Sequence, residues 1–249
     1  MEIAIMKRKN NLLSIELGVL ILLSSIVPAH AQSAGSTVVS LGWARIMPLS
    51  DSDPLTVTSI AGHPVNQVQA GSSGAAKSTD TAGIVIEHYF TDNIGVAVAG
   101  GYPAYLDLEG RGTLGKYGVI GKARPWAPQV ILRYHFLPAQ SKFRPFAGIG
   151  VNYTWFTNAQ INNSTFVTQS FGPGGSASAH ASSSWNPVFE LGANYQFDKH
   201  WAAGFSFSYI PASTNVTLSG QTATGVNIVS KTKLQLRPIT TFLNLSYIF

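Results

Sequence analysis

The sequence predicts an all-β fold, an eight-stranded antiparallel transmembrane β-barrel, from three observations. Eight stretches alternate apolar with small or polar residues at a period of two, the mark of strands with one apolar face. The connections between them run long, short, long, short, long, short, long, with every short turn on the side of the termini. Only 11% of the 249 residues are charged against 45% hydrophobic, where an average globular domain is about 25% charged. Bacterial outer-membrane barrels have an even strand number, short periplasmic turns and long outer loops. Eight strands enclose a space just wide enough for side chains or one small ligand.

The chain opens with Lys7, Arg8 and Lys9, an apolar run from Leu12 to Val27, and Ala29-His30-Ala31 before Gln32. That order is a secretory signal peptide, predicted over residues 1–31, with the barrel over 32–249. Glu16 interrupts the apolar run, and Met6-Lys7-Arg8-Lys9 resembles a more usual start, so translation is expected to begin at Met6 rather than Met1. Removing residues 1–31 takes away three basic and two acidic residues and leaves a net charge of about +4. No later apolar run reaches the roughly 18 residues of a transmembrane helix.

Strand one is Thr37 to Met47, with Val39, Leu41 and Trp43 opposite Ser40, Gly42 and Ala44. Pro48 to Ser78, rich in Pro, Ser and Gly, reads as a long loop. Strand two is Thr81 to Phe90, turned by Thr91-Asp92-Asn93 into strand three, Ile94 to Tyr102. Residues 106–124 read as a loop. Strand four is Trp126 to Phe136. Strand five, Phe143 to Phe156, sets Ala147, Ile149, Val151, Tyr153 and Trp155 outward against Gly148, Gly150, Asn152 and Thr154. Its length suits a bilayer crossing of about 9–11 residues better than a soluble sandwich strand of about 5–6. Residues 157–183 read as a polar loop. Strand six, Trp185 to Phe197, is the cleanest alternation. Strand seven is Trp201 to Tyr209, residues 211–230 are a loop, and the last strand is Leu234 to Phe249. Leu243, Leu245, Tyr247 and Phe249 alternate to the final residue, and closure leaves no unpaired edge in lipid.

Thr91-Asp92-Asn93-Ile94-Gly95-Val96 resembles the second-turn motif of the OmpW family. The stretch from Ser141 to Tyr153, with Phe143-Arg144-Pro145-Phe146-Ala147-Gly148-Ile149-Gly150 at its centre, resembles that family's signature more closely. The resemblance spans Gly42 to Phe249. It implies a monomeric eight-stranded barrel of the Gram-negative outer membrane that helps small hydrophobic molecules cross the lipopolysaccharide layer.

Other motifs carry less. Gly110-Arg111-Gly112-Thr113-Leu114-Gly115 matches G-x-G-x-x-G but lacks the strand before and helix after that a dinucleotide site needs. Asn152, Asn163 and Asn215 begin glycosylation-type triplets that are incidental in a bacterial barrel. There are no cysteines, and His63, His88, His135, His180 and His200 have no metal-ligand spacing. His180 and Ser182 suggest a lipid-modifying hydrolase, but they lie in a loop with no acid partner. The expectation is therefore no catalytic residue, metal or cofactor, and no nucleic-acid partner.

The inward positions are more informative. Glu87, Arg133, Arg144 and Glu190, with His135, are expected to form an interior charge cluster, in which Glu87 pairs with Arg133 or Arg144, because a buried charge is costly unless paired. Gly148, Gly150, Asn152, Phe156, Val188, Gly192 and Phe242 are expected to line the lumen, the small residues leaving space at mid-height. An outward-facing apolar pocket follows, closed below, with sideways exit near Pro103, Pro125 and Pro128, since proline removes ladder donors. Arg111, Lys116, Lys122 and Arg124 form one basic group, and Lys231, Lys233 and Arg237 another, both expected to contact lipopolysaccharide phosphates. A structural or surface-interaction barrel without transport remains open beside the transport reading, as does a lipid-modifying enzyme.

Overall fold

A computed structural model describes residues 32–249. The signal peptide expected over 1–31, and with it the choice between Met1 and Met6, lies outside the described residues. In chain order the elements are β1 (Thr37–Pro48), β2 (Asp51–Ser52), β3 (Thr56–Ile60), β4 (His63–Val68), β5 (Ser72–Ala76), β6 (Thr79–Tyr89), β7 (Ile94–Gly101), β8 (Leu106–Gly112), β9 (Val119–Trp126) and β10 (Gln129–His135). They continue with β11 (Phe143–Ile161), α1 (Ser164–Phe171), β12 (Ser176–Ala181), β13 (Ser184–Gln196), β14 (Trp201–Tyr209), β15 (Ser213–Gln221), β16 (Asn227–Gln235) and β17 (Pro238–Ile248).

Eight of these strands close a ring in the order β1, β6, β7, β10, β11, β13, β14, β17, with β17 pairing back onto β1 and every pair antiparallel. Each predicted alternation sits on one of them. Leu41, Val98, Leu132, Ile149, Leu191 and Leu245 point outward and are exposed, the reverse of a soluble protein and the requirement of a lipid-facing wall. Aromatic pairs mark the edges of that wall: Trp126 stacks on Trp155 at 5.8 Å, and Tyr247 meets Phe249 edge-on at 4.8 Å. No helix among the described residues is long and apolar enough to cross a membrane, so the strands do the crossing.

The long connections differ from their reading as loops. They fold into hairpins that continue above the barrel. β5, β8 and β9 extend the sheet from the upper half of β11, and β12, β15, β16, β3 and β4 form a second sheet. Between them lies a separate core of Ile120, Phe166, Phe171 and Leu218. These segments are too polar to show strong alternation, yet their turns are well made: Ala61-Gly62 takes positive φ at both positions. Asn163 caps α1 by accepting from Phe166 N at 2.8 Å, and its amide donates to the carbonyls of Tyr117 and Val119.

Two predicted boundaries move for backbone reasons. Trp126 belongs to β9, opposite Trp155, and β10 starts only at Gln129, because Pro128, which has no N–H to donate, falls between them. The last barrel strand begins at Pro238, not Leu234. The chain bends at Arg237, where φ is +40°, and Leu234 pairs within the second sheet.

Candidate functional site

The barrel interior is built in layers. At the periplasmic end, Arg144 on β11 donates from Nη1 to the Gln32 carbonyl at 2.7 Å and from Nη2 to the carbonyls of Asp92 and Leu137. Its guanidinium also lies over the Tyr89 ring. Gln32 itself is buried, accepts from the Tyr89 hydroxyl at 3.2 Å, and leads into Ala34, whose N–H donates to the Asp92 carboxylate at 2.9 Å. The chain's own residues thus cover this mouth of the barrel.

The next layer is ionic. Arg133 on β10 donates from Nε and Nη2 to the two oxygens of Glu190 on β13, at 2.8 and 2.9 Å, and from Nη1 to Glu87 on β6 at 2.9 Å. His135 Nε2 lies 2.8 Å from the other Glu87 oxygen, and Phe146 presents its ring to the Arg133 guanidinium at 4.7 Å. Glu87, Arg133, His135 and Glu190 are all buried. Arg144 was expected in this cluster and stands apart from it: its two terminal nitrogens are taken by backbone carbonyls a layer below, where the turns expose their C=O groups. No sequence pattern records that, because those carbonyls are set by turn geometry.

The mid-height glycines do not leave space. A Cβ built on Gly148 would lie 2.7 Å from Ile131 Cγ2, on Gly150 2.2 Å from the Val130 carbonyl oxygen, and on Gly192 2.5 Å from Phe146 Cζ. Large neighbours fill what small residues vacate, as a narrow barrel requires. Asn152 and Val188 are fully buried in this packing. Among the expected lumen residues, Phe242 lines the main cavity and Phe156 a smaller one above it.

The main cavity lies higher, between the ionic layer and the upper sheets, with a volume of about 160 Å³. Ala44, Val85 and Ala99 form an apolar wall from β1, β6 and β7. Its lining includes Gly100 and the exposed Gly101 and Tyr102, with Pro103 buried beside them. There the β7–β10 ladder ends at Ala99 opposite Gln129, and pairing resumes only at Leu106 opposite Ala123. Residues 100–105 and 124–128 face each other across this interval without ladder pairs, and Pro103, Pro125 and Pro128 all fall within it. The pocket is not simply open above. Smaller cavities of about 60 and 80 Å³ follow in series, sharing Leu106 and Leu236 with the main one and Leu108 and Val216 with each other.

The basic residues fall on two sides. Lys122 and Arg124 on β9 stack over Tyr105 at 4.5 and 4.4 Å, beside the lateral interval. Arg111 and Lys116 lie further out on the β8–β9 hairpin and are exposed. Lys231 and Lys233 lie exposed on β16, in the second sheet, and Arg237 in the bend after it. His180 and Ser182 are not joined: Ser182 Oγ meets Thr214 Oγ1 at 3.4 Å and accepts from Asn215 N at 3.0 Å. No cluster of three or more His, Asp or Glu that would hold a metal occurs among the described residues.

Comparison with known proteins agrees with this architecture. The chain is 29% identical over 202 residues to outer membrane protein W of Vibrio cholerae, covering 81% of this chain and 84% of the relative. It is 27% identical over 195 residues to outer membrane protein W of Escherichia coli K12, covering 77% and 81%. The crystal structure of the outer membrane protein OprG from Pseudomonas aeruginosa superposes with a TM-score of 0.76 at 25% identity, covering 89% of this chain and 99% of that one. The outer membrane protein AlkL, at 20% identity and a TM-score of 0.59 over 90% and 95%, shares the fold. With residues 33–249 matching the family model, this chain belongs to the OmpW family and is a β-barrel of the Gram-negative outer membrane.

Proposed function

We propose that the barrel admits small hydrophobic molecules passively from outside and releases them sideways into the membrane. The observation that carries this reading is the cavity of about 160 Å³ that borders the interval where the β7–β10 ladder is interrupted, with exposed Tyr102 in its lining. Apolar walls favour an apolar guest by roughly 25 cal/mol per Å² buried. An apolar cavity of about 150 Å³ is large enough for benzene. Below, the ion cluster and the Arg144 layer oppose straight passage, since an apolar guest would have to displace satisfied charges. The lateral interval needs no such step. The family likeness carries the same expectation.

The test is to fill the cavity from its apolar wall. Ala99 points inward and is 7% exposed. Ala99→Phe should fold, checked by the heat-dependent mobility of a closed barrel, and should abolish protein-dependent uptake of a small hydrocarbon by cells. Full uptake through a correctly folded Ala99→Phe barrel would favour a structural or surface role.

The same reading places lipopolysaccharide against the wall. Lys122 and Arg124, held on Tyr105 above the Trp126–Trp155 stack, sit where outer-leaflet phosphates would meet them. Lys231, Lys233 and Arg237 present a second group on and just after β16 in the second sheet.

A further inference from the structure

The main cavity is two-faced. Beside the apolar wall of Ala44, Val85 and Ala99 stands Gln129, next to Ala99 in the β7–β10 ladder, and β13 and β14 add Glu190, Ser206 and Ser208 as a second, polar wall. Ser206 and Ser208 are 5% and 8% exposed, and their hydroxyls make no side-chain hydrogen bond among the described residues. Gln129 Oε1 is buried with no partner. A barrel whose cavity served hydrocarbons alone would have no use for this wall, because unpaired buried polar groups cost stability. One buried acceptor without a partner and two hydroxyls on the same cavity point to a guest that completes them.

We propose that the cavity selects small amphipathic molecules, a single ring or short chain bearing one neutral hydrogen-bond donor such as a phenolic or alcoholic hydroxyl, over hydrocarbons of equal size. The apolar part would lie on Val85 and Ala99, and the hydroxyl would donate to Gln129 Oε1 or Glu190 and accept from Ser206 or Ser208. The neighbouring charges exclude an anionic head. Glu190 faces the cavity, and Nε, Nη1 and Nη2 of Arg133 are already committed to Glu190 and Glu87. A carboxylate guest would meet a carboxylate and find no free cation there. The proposal deepens the uptake reading and rests on the same cavity.

Phenol and toluene, matched in size, separate the possibilities. Contact with apolar walls alone favours toluene, since phenol must give up hydrogen bonds to water. The experiment titrates each probe, at matched free concentration, into full-length protein in lipid nanodiscs and follows the Val85 methyl resonances. Phenol should bind the wild type more tightly than toluene. Ser206→Ala/Ser208→Ala should swing the affinity ratio toward toluene by about tenfold, the effect of about one hydrogen bond. Gln129→Leu should swing it the same way, which covers failure of the double variant to fold. A toluene preference in the wild type, a ratio unchanged in both variants, or no saturable shift with either probe overturns the proposal. Saturable phenol binding without protein-dependent uptake by cells would sink the uptake reading and leave this one standing.

Discussion

Arg133 grips Glu190 across the barrel interior through two parallel hydrogen bonds of 2.8 and 2.9 Å, and its remaining terminal nitrogen holds Glu87. A planar fork makes this arrangement, and lysine could not. The pair ties β10 to β13 over the intervening β11, and Glu87 on β6 extends the link, so Arg133 joins two carboxylates that lie half the ring apart.

Arg133→Met should therefore be costly, because it leaves two carboxylates buried without their cation. Loss of one partner from such a cluster costs about 3–5 kcal/mol. The triple variant Glu87→Gln/Arg133→Met/Glu190→Gln should recover most of that loss. Urea unfolding of the purified protein in detergent measures both, and a single variant as stable as wild type would refute the bracing role.

Gly100→Trp should block the lateral interval without disturbing the fold. A Cβ at Gly100 meets nothing within 4 Å, and the residue borders the cavity where the ladder is broken. Unfolding should match wild type while hydrocarbon uptake falls to the level of cells lacking the protein. Unchanged uptake would mean that cargo leaves by another way.

Gly150→Ala should behave in the opposite manner. Its Cβ would fall 2.2 Å from the Val130 carbonyl oxygen, so the strand must shift. A destabilisation of about 1–3 kcal/mol is expected for such overpacking, against none for Gly100→Ala. Equal unfolding midpoints for the two variants would count against the tight packing at mid-height.

The periplasmic turn between β13 and β14 should respond to pH through Asp198. Its carboxylate accepts from His200 N at 2.8 Å and Trp201 N at 2.9 Å, and these hold its pKa below the ordinary value of 3.8. A depressed pKa contributes stability above the unfolded value that is lost as the pH falls through the folded one. Asp198→Ala should therefore be less stable than wild type at pH 7, with the difference closing below pH 3.8. A difference constant from pH 7 to pH 2 would exclude the carboxylate as its source.

Neutralising Lys122 and Arg124 to Gln should weaken lipopolysaccharide association in low salt and make it less salt-dependent, as should neutralising Lys231, Lys233 and Arg237. Association measured with purified lipopolysaccharide, unchanged at low salt in both sets, would remove these residues from the contact.

The barrel was legible because lipid imposes a simple rule on every crossing strand. Ala147, Ile149 and Val151 must be apolar while Gly148, Gly150 and Asn152 need not be, and eight such alternations reveal themselves in one dimension. The upper sheets were not legible, since hairpins such as β3–β4 and β15–β16 lie outside the apolar wall and need no outward apolar face. Their pairing follows from turns and from the core around Phe166 and Leu218.

The candidate site divides in the same way. Inward charge at Glu87, Arg133 and Glu190 could be read from alternation, because direction along a strand depends only on parity. Which charge meets which depends on register across strands far apart in the chain, and Arg144 is drawn away by turn carbonyls that no parity rule contains. The sequence by itself determined strand number, direction of faces and the interrupted ladder at Pro103, Pro125 and Pro128, all local properties of backbone and side-chain chemistry. Only the tertiary structure decided where space remains. Volume in a narrow barrel is the residue of many side chains packed against one another, so Ile131 and Phe146 fill the mid-height glycines and the cavity opens above them, between Val85 and Ser208.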